Sequence, residues 1–280
     1  MGKTDFAPWA ERARRWSLLG PPLAPQAHDI EFSSRQISDW HAENGGSSPT
    51  ALLLGVTPAI ALMPWPAEFR VFGIDHSFDM VKLVWPCHGQ PKRHAIMGDW
   101  RRLPFPDTSA NIIICDGGFL FFKYPSGFRT LFGELARVLR GNGFLIVRFF
   151  AQSTQRQDPD DVFRQLSGGE VSSFHEFKFR LNMALQESAE AGLCVKQTWD
   201  YWRSRHIDLA QLAAERNWPL AEIQTIELYR GSDLTFAYPT LAEVRTVAEG
   251  LFEEVRCQIH TYPFGDNCPT FCFRKADTNG

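Results

Sequence analysis

Three aspartates, Asp75, Asp99 and Asp116, each follow a short apolar run of the sequence. A carboxylate accepts hydrogen bonds from hydroxyl groups, so this residue type suits a ribose. In open α/β sheets the carboxyl ends of neighbouring strands face one crevice, and ligands bind there. If the three apolar runs are neighbouring strands, their three carboxylates are predicted to line a single ligand site.

A fourth apolar run, at 51–54, ends in a turn instead of an acid. Gly55 permits a sharp change of backbone direction. Thr57 is a good N-cap residue, and Pro58 suits the first helical position, where its missing N–H costs nothing. Free N–H groups at the start of a helix favour a polar or anionic group. The turn is therefore predicted to contact part of the same ligand.

Side chains that could orient a substrate or accept its proton lie between residues 151 and 240. The candidates are His175, Tyr201 and His206. Histidine is suited to proton transfer because it exchanges a proton near neutral pH. No spacing distinguishes one of the three as the base, and each residue type is more often structural or solvated.

Alternating strands and helices must position these residues. Beyond the run at 51–54, apolar runs predict strands at 70–75, 94–100, 110–116 and 144–150. Periodic patterns predict helices between these strands, the clearest at 128–140. Short connections between alternating elements favour a mostly parallel, doubly wound α/β sheet with helices on both faces.

Segments on either side of this core have helical patterns of their own. Residues 5–19, with Phe6, Trp9 and Trp16, and residues 29–43 predict helices that form a cap. Helical patterns between 158 and 229 predict a substrate lid above the strand ends, where ligands bind. The predicted divisions are the cap at 1–49, the core at 50–150, the lid at 151–240, and a helix with a strand hairpin at 241–280 that completes the sheet.

Charge and cysteine content disfavour several classes of function. The 29 basic and 32 acidic residues give a formal charge of -3, so the chain has no basic field for binding nucleic acid. It has no apolar run long enough to span a membrane and no secretion signal at its start. Six scattered cysteines without a C-x-x-C pair predict free thiols and no metal site. We expect a cytoplasmic protein that acts on a small molecule, with neither nucleic acid nor membrane as a partner; oligomeric state is not encoded in these patterns.

The order of the motifs resembles that of the class I S-adenosylmethionine-dependent methyltransferases. The most distinctive segments are 103–113, LPFPDTSANII, and 135–143, LARVLRGNG. The resemblance extends strongly over 50–150 and more weakly over 241–275. It implies a Rossmann-like sheet of seven strands, S-adenosylmethionine as the cofactor, and transfer of a methyl group to an oxygen or nitrogen atom of a small molecule, with carbon less favoured.

The resemblance also implies contacts with the cofactor. Gly55 and Thr57 would lie against its methionine end, Asp75 would hold the ribose, and Asp99 would meet the adenine amino group. Asp116 would end the strand beside the transferred methyl group. The remaining implied contacts are Val56, Pro58, His76, Met80, Gly98, Trp100 and Gly117, of which His76 and Trp100 would flank the adenine ring.

The glycine motif departs from the pattern of this family. The usual Gly-x-Gly-x-Gly is here GVTPA, residues 55–59, and the acid usually found two residues earlier is Leu53. A dinucleotide needs those glycines so that the backbone can approach its pyrophosphate, whereas S-adenosylmethionine has no phosphate. Two alternatives stay open: a noncatalytic methyltransferase-like subunit, and, less favoured, a nicotinamide-dependent oxidoreductase on the same topology.

Overall fold

The computed structural model describes residues 7–45 and 48–276, except for the side chains of residues 7 and 8. Seven strands form one sheet. These strands are β1 (Thr50–Leu54), β2 (Arg70–Asp75), β3 (Arg93–Met97), β4 (Ala110–Asp116), β5 (Leu139–Arg148), β8 (Phe252–Gln258) and β9 (Thr270–Lys275); the two-residue strands β6 (Leu193–Cys194) and β7 (Thr235–Phe236) pair separately. The spatial order is β3-β2-β1-β4-β5-β9-β8. Strands β1 to β5 run parallel, and β9 pairs antiparallel with both β5 and β8. The predicted seven-stranded, mostly parallel sheet is confirmed.

Helices precede, connect and follow these strands. They are α1 (Ala7–Arg14), α2 (Ala27–Asn44), α3 (Pro58–Ala61), α4 (Phe78–Leu83), α5 (Ser126–Val138), α6 (Pro159–Gly168), α7 (Phe174–Leu185), α8 (Val195–Ser204), α9 (Leu209–Arg216), α10 (Leu220–Ile223) and α11 (Leu241–Ala248). Short 3-10 helices lie at Trp16–Leu18, Gly118–Phe121, Gln224–Tyr229 and Gly265–Asn267. Among the described residues, no helix combines the length and the apolar character needed to cross a membrane.

Both faces of the sheet are covered, as buried parallel strands require. Successive residues of β1 point to opposite faces, so Leu52 packs in the cluster that contains Phe128 and Phe132 of α5, whereas Leu53 packs with Trp40 of α2. A third apolar cluster is built mainly from α6 to α10. It also includes two side chains that follow core strands, Leu120 and Phe150. The helices after β5 therefore have a core of their own that rests on one edge of the sheet.

The helix predicted after the glycine turn is much shorter than expected. Helix α3 has only 4 residues, and within the described structure the Thr57 side chain makes no capping hydrogen bond. Pro58 does occupy the first turn, but Pro64 and Pro66 follow closely and cannot extend a helix. A single turn sums few peptide dipoles, so the expected positive helix end at this site is weak.

Tertiary contacts also changed other elements. The helical pattern that begins at Phe174 continues to about residue 191, but helix α7 ends at Leu185, where the Gln186 side chain bonds to the backbone N–H and C=O of Tyr238. Helix α8 was not predicted. Gly141 and Gly143 follow the predicted helix at 128–140 as residues that commonly end a helix, but strand β5 begins at Leu139 and contains both, beside an irregular register with β4. The predicted cap residue Phe6 lies outside the described residues.

Candidate functional site

The ends of β1, β2 and β4 lie side by side because these strands are neighbours in the sheet. Gly55 turns with φ +104°, and its N–H donates to the Ile74 carbonyl at 2.7 Å. The Asp75 carboxylate is buried at the end of β2, where Oδ1 accepts the backbone N–H of Ser77 at 2.9 Å. Burial raises the pKa of Asp75. The structure therefore places the turn and this carboxylate together at one edge of the sheet.

Asp99 is less available than Asp75. It follows β3, and its carboxylate is bound by the Arg101 side chain, with Nη2 2.7 Å from Oδ2. The hydrogen bonds from Arg101 lower the pKa of Asp99. Any contact of this carboxylate with an adenine amino group would have to compete with Arg101.

The Trp100 indole crosses the end of β1. Its Nε1 donates to the Ile74 carbonyl of β2 at 2.7 Å, and its other edge packs on Gly118, after β4. A Cβ at position 118 would lie 2.6 Å from this ring, so only glycine admits the indole there. The sequence interpretation placed Trp100 beside the adenine ring, whereas here the indole lies over the turn, 3.7 Å from the position of a Cβ on Gly55.

Asp116 belongs to one of two hydrogen-bonded pairs, Asp116 with Arg148 and Asp29 with Tyr262, which interact electrostatically and which we name together the anchored cluster. The Arg148 Nε lies 2.5 Å from Asp116 Oδ1, and its other two nitrogens donate to the Pro22 and Leu23 carbonyls at 2.8 and 3.2 Å. Asp29 accepts the Tyr262 hydroxyl at 3.0 Å. The cluster ties the segment after α1 to the ends of β4 and β5.

The other predicted cofactor contacts fall into two groups. Val56 and Met80 are buried in the core on the α2 side of the sheet, and Pro58 begins α3. A side chain at Gly98 would meet Ile74 at 2.7 Å, and one at Gly117 would meet the Phe150 ring at 2.4 Å. Packing alone therefore demands glycine at both positions, although both adjoin the strand ends.

His76 lies under the N-terminal cap. The Trp9 ring of α1 meets it edge on, with centroids 5.2 Å apart, and also meets Phe121 at 5.1 Å. Phe121 in turn contacts Phe236 of β7. Helix α1 and strand β7 are therefore linked through Phe121 beside Asp75, and the side chains that link them are aromatic.

The three candidate proton acceptors do not meet. His175 is fully buried in α7, and its Nε2 donates to the Leu18 carbonyl at 2.8 Å. Burial, assisted by the nearby Lys178, lowers the pKa of His175 to about 3, so it is a poor proton acceptor at neutral pH. The Tyr201 hydroxyl bonds to Asp160 and Arg205 on the exposed side of α6 and α8. His206 follows α8, exposed, with φ +51°.

Sequence reasoning missed three charged residues near this site. Arg148 ends β5, as the aspartates end their strands, and the same strand-end argument would have found it. Arg12 stands close to Arg14 and Arg15 in the sequence, a pattern typical of a solvated helix face. Lys178 lies four residues after Phe174 and three before Leu181, a spacing that places it on an apolar helix face.

The residues at the strand ends fit S-adenosylmethionine in part. The buried Asp75 carboxylate is an acceptor of the kind that ribose hydroxyls need. Trp100 offers an aromatic surface, but in its present position the indole lies on the turn predicted to receive the methionine end. Asp75 and His76 would hold the nucleoside, and the cofactor would supply the methyl group when bound.

Residues 52–147 match a family model described as a methyltransferase domain. This segment contains the ends of β1 to β4, from Gly55 to Asp116, and stops one residue before Arg148, the last residue of β5. No curated protein sequence matches the chain.

Solved structures share the fold at low sequence identity. A protein of Pyrococcus horikoshii aligns with a TM-score of 0.51 and 14% identity over 94% of this chain and 99% of its own. A Rhodobacter sphaeroides protein, provisionally described as a zinc-dependent alcohol dehydrogenase, gives 0.51 and 14% over 95% and 98%. An N-methyltransferase of Bradyrhizobium japonicum, solved with S-adenosylhomocysteine, gives 0.49 and 10% over 96% and 98%. From the first two alignments we take the fold alone, since shared folds host different chemistries.

Proposed function

We propose that this chain, a class I S-adenosylmethionine-dependent methyltransferase by its domain at 52–147, transfers a methyl group to an oxygen or nitrogen atom of a small molecule. The family match supports the resemblance found in the sequence, and with it S-adenosylmethionine as the cofactor. The substrate class and the acceptor atom are our proposal.

The observation that supports a small substrate is a series of ring contacts beside the strand ends. Trp9 of the cap, Phe121 after β4 and Phe236 of β7 are in successive ring contact beside His76. Because these rings contact one another, an acceptor has to separate them to reach the strand ends, and a small molecule would need less displacement than a polymer.

Methyl transfer from a sulfonium needs orientation and exclusion of water more than covalent help from the protein. The aromatic side chains would exclude water, and Asp75 would fix the nucleoside relative to the acceptor. Of the predicted bases, only His175 contacts the cap segment that crosses the site, and its lowered pKa disfavours a role as base. We therefore propose that the acceptor reacts in a form that needs no strong base from the described residues.

We also propose that the predicted divisions of the chain have separate roles: the cap at 1–49 and the lid at 151–240 enclose the acceptor, and the core at 50–150 with the hairpin at 241–280 holds the cofactor. The buried free thiols of Cys87, Cys115, Cys268 and Cys272 suit a reducing compartment such as the cytoplasm.

Calorimetric titration with S-adenosylmethionine and S-adenosylhomocysteine tests this function. We expect both to bind, and Asp75→Asn to weaken binding roughly 10- to 100-fold, because a hydrogen bond to a charged group contributes about 1.5–3 kcal/mol. Asp79→Asn, at a partly exposed position in the first turn of α4, is the control and should bind normally. Absence of binding by the unaltered protein would favour the noncatalytic alternative, which the altered glycine motif and the position of Trp100 motivate.

A further inference from the structure

Two cations, Arg12 of α1 and Lys178 of α7, interact electrostatically at a place that the cofactor site does not use; Lys178 is buried, whereas Arg12 is partly exposed with its Nη2 shielded from solvent. The Lys178 Nζ donates to Thr225 Oγ1 at 2.7 Å while lying 5.7 Å from the centre of the Phe174 ring and 5.6 Å from that of Tyr229. Arg12 lies over Trp9, 5.2 Å from the ring centre. Arg12 is close enough to contribute, after burial, to lowering the pKa of Lys178 to about 7. We name Arg12 and Lys178 the cationic cluster.

The cationic cluster lacks the partners that buried charges normally have. Arg12 Nη2 is shielded from solvent and has no hydrogen-bond partner in the part of the chain that the structure describes. Within residues 7–45 and 48–276, neither cation has a carboxylate within ion-pair distance. Burying an unpaired charge is costly, so such an arrangement is unusual in a finished core.

The nearest acid does not neutralise both cations. Glu222 interacts electrostatically with Lys178, but its Oε1 accepts the Phe174 N–H at 3.2 Å and lies 3.9 Å from His175 Nε2. His175 is neutral, since its pKa is lowered to about 3. When both cations are protonated, two positive charges face one carboxylate. One further negative charge would balance the site.

Aromatic side chains connect this place with the cofactor site. Trp9 contacts His76 beside Asp75, Phe121 contacts Trp9 and Phe236, and Phe236 contacts Tyr229, over which Lys178 lies. A flat or apolar molecule along these rings would have one end near the strand ends and the other at the cations.

We propose that Arg12 and Lys178 bind the carboxylate of the substrate, and that this substrate is a monoanionic acid with an aromatic or apolar body. The inference rests on the proposed function for its statement that the ligand is the methyl acceptor. A single carboxylate balances the one excess charge, whereas a phosphate dianion would exceed it. Because Arg12 Nη2 is shielded from solvent, α1 has to shift for the acid to enter.

The test compares matched probes on the full chain saturated with S-adenosylhomocysteine. We expect at least one of benzoate, phenylacetate, cinnamate and octanoate to bind in calorimetry or ligand-observed NMR, and its uncharged amide to bind at least tenfold more weakly. Failure of all four acids to bind, or equal binding of acid and amide, overturns the proposal. Preference for phenyl phosphate over every acid also overturns it, because the ligand would then be a phosphate.

Variants separate a binding role from a structural one. Arg12→Met and Lys178→Met should each weaken the best acid at least tenfold and leave S-adenosylhomocysteine binding unchanged. Arg14→Met is the matched control, since Arg14 is exposed on the same helix and paired with Glu11. Without ligand, both test variants should unfold at the same temperature as the unaltered protein or higher, because each removes an uncompensated buried charge. Reduced stability with unchanged acid binding would assign the two cations to the fold.

Failure of the proposed function is distinguishable from failure of this inference. If the acids bind through Arg12 and Lys178 but S-adenosylmethionine does not bind, the site exists and the methyltransferase function is wrong. If S-adenosylmethionine binds and none of the acids does, the methyltransferase function stands and the carboxylate site is wrong.

Discussion

The anchored cluster and the cationic cluster both involve the N-terminal segment, but their arginines differ in how many of their nitrogens have hydrogen-bond partners. Arg148 of the anchored cluster uses its three nitrogens on Asp116, Pro22 and Leu23. Arg12 of the cationic cluster has a shielded nitrogen with no partner among the described residues. The first arrangement fixes the chain that follows α1, and the second leaves α1 with a charge that the fold does not satisfy.

The difference indicates how a buried charge can be assigned to folding or to binding. A charge whose hydrogen bonds are complete offsets its desolvation within the fold and needs no ligand. A charge that lacks partners costs stability until something binds it, as is common at functional sites. The predictions below test whether the two clusters separate in this way.

The largest effect is expected when the anchored cluster is broken. Arg148→Met leaves Asp116 buried without its cation, which should lower the free energy of unfolding by roughly 3–5 kcal/mol in urea denaturation. Arg129→Met, at an exposed position on α5, should change it by no more than about 0.5 kcal/mol. A loss of less than about 1 kcal/mol for Arg148→Met would remove the distinction between the clusters.

In the cationic cluster, removing a charge is expected to raise the free energy of unfolding instead of lowering it. The pKa of Lys178 is lowered, mainly by burial, from its ordinary value of 10.5 to about 7. Lys178→Met should therefore stabilise the ligand-free protein at pH 6 on the order of 2–4 kcal/mol. Between pH 7 and 10.5 the unfolded chain binds this proton and the folded chain does not, so stability from this group rises with pH. The difference in free energy of unfolding between Lys178→Met and the unaltered protein should therefore shrink from pH 7 to pH 10.5. A difference that stays constant would contradict the lowered pKa of Lys178.

Acid binding should depend on pH in the reverse direction. The carboxylate needs the protonated Lys178, so the affinity of the best acid should fall about tenfold between pH 7 and 8.5 in calorimetry. The groups that face Lys178 are Arg12 of α1, Glu222 of α10, Tyr229 and, on α7 itself, His175. Lys178→Arg, which stays charged over this range, serves as the control and should give a flat profile. Affinity that rises with pH would show that the cation is not the binding group.

The smallest effect concerns the bond between α7 and the cap segment. His175→Gln should cost about 1 kcal/mol at pH 7 because it disturbs one hydrogen bond to Leu18. The pKa of His175 is lowered from 6.5 to about 3, so between these pH values only the unfolded chain takes up this proton, and stability falls as the pH falls. The glutamine variant should lose that part of the acid sensitivity in urea denaturation at pH 4 to 7. If the variant loses stability with falling pH as steeply as the unaltered protein does, a group other than His175 causes this acid sensitivity.

Local signals sufficed for the existence of the parallel strands, because most of them contain an apolar run bounded by turn residues. The number of seven strands was implied by the resemblance, and no pattern predicted their spatial order. Local signals also sufficed for the position of Asp75, which follows directly from the end of β2. They failed where distant groups decide the outcome. Gln186 ends α7 through Tyr238, and Trp100 bonds to Ile74, a residue 26 positions earlier. Arg12 and Lys178 are 166 positions apart by their numbers, so no spacing could reveal that they interact.

Gly118 gives the crevice a property that its charged residues do not. The indole of Trp100 occupies the space that a Cβ at position 118 would need, so the absence of a side chain at Gly118 determines the shape of the crevice floor. A Cβ at this position would lie 2.6 Å from the indole and 2.9 Å from Cys115 Sγ, so an alanine there would require the indole or Cys115 to move. The form of the candidate site therefore depends on a residue that offers no side chain to a ligand.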